Sequence, residues 1–177
     1  MNKILVAALL ATATVASFAT TANAAIDLSG QSYAGVKIGA MDIDAADAPK
    51  LTSYGVYGGY DMANGFGVEA DFTGTQEKAL KSSENIEISA KNYGLYGTYK
   101  YNLDAMPVYF KGKLGVSKTE VKLKSTLTSD KYKESETTVA GGIGAGYNFT
   151  DNISAEVMFN KVHDDVNNYT AGVHFKF

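Results

Sequence analysis

Residues 168–177 read NYTAGVHFKF. Counting by twos, Tyr169, Ala171, Val173, Phe175 and Phe177 make an apolar row with aromatics at both ends. The interleaved row, Asn168, Thr170, Gly172, His174 and Lys176, is polar or small. Successive side chains of a strand point to opposite faces, so the two rows separate. About ten residues suffice for a tilted strand to cross a bilayer. An apolar face toward lipid and a polar face toward a lumen is the pattern of a transmembrane barrel strand. Such a strand needs partners on both edges, because hydrocarbon offers its backbone no hydrogen bonds.

The other end of the chain points to export. Met1-Asn2-Lys3 is a positive start, residues 4–15 are apolar, and Ala22-Asn23-Ala24 is a small-x-small cleavage pattern. These are the parts of a secretory signal peptide, so residues 1–24 are expected to be cleaved. Residues 25–177 have the size of one domain. No later apolar run approaches the roughly 18 residues of a transmembrane helix. Cysteine is absent, which removes disulfides and thiol chemistry. The two prolines leave room for long uninterrupted strands. A net charge of −3 argues against a nucleic-acid partner. All 16 basic residues are lysine, so every cation is a point charge rather than a bidentate fork.

Period-2 alternation recurs along the chain and predicts eight strands. The first spans about 32–41, with Ala34, Val36, Ile38 and Ala40 on one face and Lys37 on the other. The second, 52–61, carries Tyr and Gly on both faces, so its register is open. The third, 66–75, sets Phe66, Val68, Ala70 and Phe72 against Glu69, Asp71 and Thr73. The fourth covers 89–101 and the fifth begins after Pro107. The sixth covers 137–149, the seventh 153–162, and the eighth is the terminal strand. Short connections (61–65, 102–107, 150–152) alternate with long ones (42–51, 76–88, 119–136), and 161–167 is intermediate. Outer-membrane barrels have this arrangement, with the short turns in the periplasm. Aromatics such as Tyr60, Phe66, Tyr99, Tyr147 and Phe175 collect near the short turns, as a membrane girdle requires.

The fold predicted is therefore all-β: an eight-stranded antiparallel up-and-down transmembrane β-barrel, closed by the eighth strand on the first near Val36. Eight strands enclose a space that side chains just fill. Its expected polar network is Lys37, Glu69, Asp71, Lys100, Lys111, Lys113, Glu156, His174 and Lys176. Buried charges persist when paired. Carboxylates of the third and seventh strands are expected to meet lysines of the fourth, fifth and eighth. Such a network reads as a polar plug, and the alternative is a gate or narrow pore.

Other motifs carry little chemistry. Residues 141–146, GGIGAG, lack the strand–turn–helix context and the Lys of a nucleotide loop. His163, Asp164 and Asp165, and separately Asp42, Asp44 and Asp47, read as solvated loop residues rather than metal sites. His174 with Ser154 or Glu156 does not have the setting of a nucleophile–base pair. No metal and no cofactor is expected. The loop TEVKLKSTLTSDKYKESET can extend the fifth and sixth strands beyond the membrane, exposing edges for β-augmentation.

The segment GGIGAGYNFTDNISAEVMFNKV, the ending YTAGVHFKF and the eight alternating strands resemble the small outer-membrane barrels of Gram-negative bacteria. These include the opacity-protein, OmpA and OmpX types. The resemblance implies a non-enzymatic barrel of the bacterial outer membrane, serving envelope structure or surface interaction such as adhesion. A narrow diffusion channel is the alternative, and a lipid-A-modifying enzyme the least expected. It also implies that the last strand, through Tyr169, Val173, Phe175 and Phe177, is the signal read by the barrel-assembly machinery. The expected partners are outer-membrane lipid, lipopolysaccharide and an extracellular or host ligand of the loops. A monomer is expected.

Overall fold

The computed structural model describes residues 29–43, 50–80, 83–125, 131–163 and 166–177. The expected signal peptide, Asp44, Asp47, Asp164 and Asp165 lie outside them. The strands are β1 (Gly30–Ile43), β2 (Leu51–Met62), β3 (Phe66–Thr75), β4 (Lys78–Leu80) and β5 (Ser83–Asn102). They continue with β6 (Val108–Ser125), β7 (Lys131–Asn148), β8 (Ile153–His163) and β9 (Val166–Lys176). Neighbours run in the order β3-β2-β1-β9-β8-β7-β6-β5-β4, and β3 also pairs with β5, so the sheet closes on itself. The short β4 follows β3 after Gln76 and Glu77 and lies along the same neighbour, β5. Together β3 and β4 form one stave, and the barrel has eight antiparallel staves. Closure is what hydrocarbon demands of strands, since it leaves no open edge.

The closing seam is β1 against β9, with Val36 opposite Val173. Phe177 N–H donates to the Ser32 carbonyl at 2.9 Å, and Lys176 N–H to the Asn152 carbonyl at 2.7 Å. The short turns are built for tightness. Between β2 and β3, Gly65 has φ +88°, a region that suits glycine, and its N–H donates to the Met62 carbonyl at 3.0 Å. Asn64 Oδ1 accepts from the Phe66 N–H in the same turn.

Outward side chains are the apolar rows. Val139 is 72% exposed and Leu114 68%, values that mark a surface meant for lipid rather than water. Aromatic pairs bound this band. Phe66–Tyr99, Tyr147–Phe149 and Phe175–Phe177 lie toward the short turns, and Phe72–Tyr93 and Phe159–Tyr169 toward the long loops.

The structure departs from the sequence reading beyond the second girdle. β6 runs to Ser125 and β7 starts at Lys131, the extension expected of the fifth and sixth strands, whereas β5 starts at Ser83, several residues before the boundary expected of the fourth. The apolar–polar alternation persists only where lipid faces the strand. Above it the outward positions are wet, and Lys91, Lys118 and Lys122 are exposed. The inward positions there turn apolar: Met41, Leu51, Ile88, Ala90, Val162 and Val166 form one buried cluster. β2 takes the register that turns Tyr54 out and Tyr57 in.

Candidate functional site: the lumen and the outer blade

Strand parity places Lys37, Glu69, Asp71, Lys111, Lys113, Glu156, His174 and Lys176 inside the barrel, where all eight are buried. Lys100 is half-buried on the same side. The centre is Lys111 on β6. Its Nζ lies 2.5 Å from Glu69 Oε2 on β3 and 3.3 Å from Glu156 Oε2 on β8. In the ring order β3 and β8 stand on opposite walls, so one ammonium spans the cross-section. Lys111 also donates to Tyr33 OH on β1 at 3.3 Å.

Lys113 Nζ meets Glu69 Oε1 at 2.9 Å and Asp71 Oδ2 at 3.0 Å. Lys37 Nζ meets Asp71 Oδ2 at 2.8 Å. Phenols complete the carboxylate shells: Tyr33 OH donates to Glu69 Oε2 at 2.8 Å and Tyr109 OH to Glu156 Oε2 at 3.1 Å. Ring faces lie under the cations, with Lys113 Nζ 4.3 Å from the Tyr96 centroid and Lys111 Nζ 5.0 Å from that of Tyr33. Desolvating each charge costs several kcal/mol, which only such multiple pairing offsets.

Not every expected pairing forms. Lys100 pairs with Asp61 near the end of β2, where the expected second strand meets its short turn. Lys176 donates to Asn148 Oδ1 at 2.8 Å rather than to a carboxylate. His174 Nδ1 lies 2.9 Å from Tyr57 OH. The first strand joins through Lys37. The expected network holds no tyrosine, although alternation sets Tyr96 on the face of Lys100 and Tyr109 on that of Lys111, and counting by twos from Lys37 does the same for Tyr33.

Inward glycines make room for the phenols. A Cβ at Gly172 would lie 2.9 Å from Tyr57 OH and 3.1 Å from the Val36 carbonyl oxygen, whereas one at lipid-facing Gly112 meets nothing within 4 Å. Gly172→Ala is therefore expected to cost about 1–3 kcal/mol, the usual range for overpacking. Gly112→Ala is expected to be close to neutral. Urea unfolding of both variants in lipid vesicles checks the difference.

The chemistry-bearing motifs are dispersed. Residues 141–146 lie within strand β7. Ser154 Oγ donates to Asn148 Oδ1 at 2.7 Å, while His174 is engaged by Tyr57, so no serine–histidine pair forms. Among the described residues no three metal-ligating side chains converge. Tyr169, Val173 and Phe175 face lipid on β9, and Phe177, the residue after it, is exposed with them.

Above the membrane, β5, β6 and β7 continue as a blade. β7 pairs with β8 only from Gly141 downward, opposite Lys161. Residues 131–140 pair with β6 alone among the described residues. The β6–β7 register sets Lys122 opposite Lys133 and Lys124 opposite Lys131. Positions two apart share a face, so Lys118 and Lys122, both exposed, belong to one side of the blade. Glu120 belongs to that side too, with Lys91 of β5 opposite it and Glu87 opposite Lys124.

Residues 5–177 match the family model described as an outer membrane protein β-barrel domain. No curated protein matches the chain in sequence. Among solved structures, Ail, the attachment invasion locus protein of Yersinia pestis, is 21% identical with a TM-score of 0.60, covering 84% of this chain and 97% of its own. Ail has also been solved in complex with the heparin analogue sucrose octasulfate. Neisserial surface protein A is 14% identical with a TM-score of 0.63, at 84% and 97% coverage. The N-terminal barrel of Pseudomonas aeruginosa OprF is 14% identical with a TM-score of 0.60, at 84% and 100% coverage. At these identities the three share the fold. Matched over nearly its whole length, the chain belongs to the outer membrane protein β-barrel family and is a protein of the bacterial outer membrane.

Proposed function

We propose that the protein is a non-enzymatic barrel with a filled lumen whose outer blade binds an anionic ligand at the cell surface. One observation carries this reading: the β6–β7 register that sets lysine against lysine twice in succession. Like charges directly opposite one another destabilise a strand pair. Their use on a chain of net charge −3 makes sense when an anion spaced to match neutralises them. A sulfated glycan carries closely repeated anionic groups, and the Ail complex with sucrose octasulfate supports the class. The lumen serves as structure, its ion pairs holding opposite walls together.

The remaining parts follow the same reading. Residues 1–24 direct export and are removed. The β9 ending is recognised by the barrel-assembly machinery, and the barrel acts as a monomer in contact with outer-leaflet lipopolysaccharide.

Binding of the reconstituted barrel to immobilised heparin tests the proposal. Replacing Lys122, Lys124, Lys131 and Lys133 together by Ser is expected to weaken it about tenfold or more, from four partly screened contacts. Added salt is expected to weaken the wild type in parallel. Equal binding by the two proteins, or none by either, would overturn the assignment of the ligand.

A further inference from the structure

The lumen is built in layers, and the layers differ in how water meets them. At the short-turn end, Lys100, Asp61 and Asn148 are polar and retain partial exposure, with Lys100 and Asp61 side chains each 12% accessible, and Lys176 is buried beside them. The ion network around Lys111 fills the middle. Above it comes a layer of neutral hydrogen bonds. Ser53 Oγ donates to Asn168 Oδ1 at 2.9 Å, and Asn92 Nδ2 to Ser117 Oγ at 3.1 Å and Thr119 Oγ1 at 3.0 Å. The outer end is closed by Met41, Leu51, Ile88, Ala90, Val162 and Val166, none more than 5% exposed. These come from β1, β2, β5, β8 and β9, and Val121 of β6 packs against them, so the cluster draws on six of the eight staves around the mouth.

The polar demands inside lie on the periplasmic side of that cluster. Asp61 Oδ1, Thr98 Oγ1, Asp71 Oδ1 and His174 Nε2 are buried with no protein partner among the described residues. Buried polar atoms in folded proteins are satisfied by protein or by water. Apolar constrictions close channels by excluding water, with no charge involved.

We propose that the lumen is a one-ended chamber. Water and small ions enter the ion network from the periplasm, and the apolar cap, rather than the ion pairs, is the seal against the outside. This rests on the filled-lumen reading above, and it makes a distinct claim about which layer does the sealing. The neutral pair of substitutions Glu69→Gln with Lys111→Met loosens the network and leaves the cap untouched. It is expected to remain non-conducting in planar bilayers.

Because the chain has no cysteine, single thiols report access directly. Asn148→Cys sits at the periplasmic mouth and Asn92→Cys just beneath the cap. Each is placed in vesicles of known barrel orientation, with a charged methanethiosulfonate reagent applied to one face at a time. Asn148→Cys is expected to react from the periplasmic face. Asn92→Cys is expected to stay unlabelled from the outer face until Met41→Ser and Leu51→Ser are added. Heat modifiability in gels confirms folding of every variant. Conductance by wild type would overturn the filled-lumen reading itself. Conductance of the network variant beside a silent wild type would overturn the cap as the seal and leave that reading standing. Labelling of Asn92→Cys from outside with the cap intact, or no labelling of Asn148→Cys from the periplasm, would likewise overturn the proposal.

Discussion

Glu69→Ala is expected to destabilise the barrel by about 3–5 kcal/mol, the cost of removing one partner from a buried ion pair. Glu69 is 2% exposed and receives Lys111, Lys113 and Tyr33 at once. Its loss strips Lys111 of its nearer carboxylate and leaves it with Glu156 alone at 3.3 Å. Lys113 keeps Asp71 at 3.0 Å, which Lys37 already shares. The decisive comparison is the double substitution Glu69→Leu with Lys111→Met. It removes both charges and retains volume, and Glu156 keeps its bond from Tyr109. Replacing a buried pair by apolar groups is often neutral, so the double variant is expected to recover most of the loss. Urea unfolding in lipid vesicles measures all three proteins. A cost below about 1 kcal/mol for Glu69→Ala would mean that the pairs behave as exposed ones do, well hydrated.

Deleting Phe177 is expected to reduce folded barrel in the outer membrane several-fold, whereas Lys176→Ala is expected to assemble normally. Phe177 N–H closes the seam on Ser32, and its ring stacks on Phe175 at the lipid boundary. Removing it opens one edge at the position where β9 meets β1. Lys176 contributes one lumenal bond, to Asn148, and its backbone N–H to Asn152 survives truncation to Ala. The heat-modifiable fraction of each variant in isolated membranes gives the comparison. Equal yields would remove the special role of the ending.

The staves were legible because lipid imposes the period. Wherever both faces of a strand had distinct solvents, as in 66–75 or 168–177, alternation alone located the element, and Val36 indeed closes on Val173. Three things were hidden. The register of β2 was ambiguous because Tyr54 and Tyr57 are chemically alike and face opposite ways. The extension of the fifth and sixth strands was expected, but that of the fourth over residues 83–88 was not, because lipid no longer sets the two faces apart there. The cap was invisible for the same reason: above the membrane the sense of the alternation reverses, so Met41 reads as a strand end and Val166 as part of a connection rather than as an interior. Parity sets Lys37, Glu69, Lys111 and Glu156 on the rows that are buried, but it does not give their pairings. Whether Lys100 meets Asp61 or a carboxylate of β3 depends on shear between strands, which a single strand's pattern does not encode.

The filled lumen is tested most directly by single-channel recording of the purified wild-type barrel in a planar bilayer. With Lys111 bridging Glu69 and Glu156 across the cross-section and the apolar cluster above it, the expected record is a flat baseline without unitary steps. Stable steps of uniform size from the folded protein would contradict it.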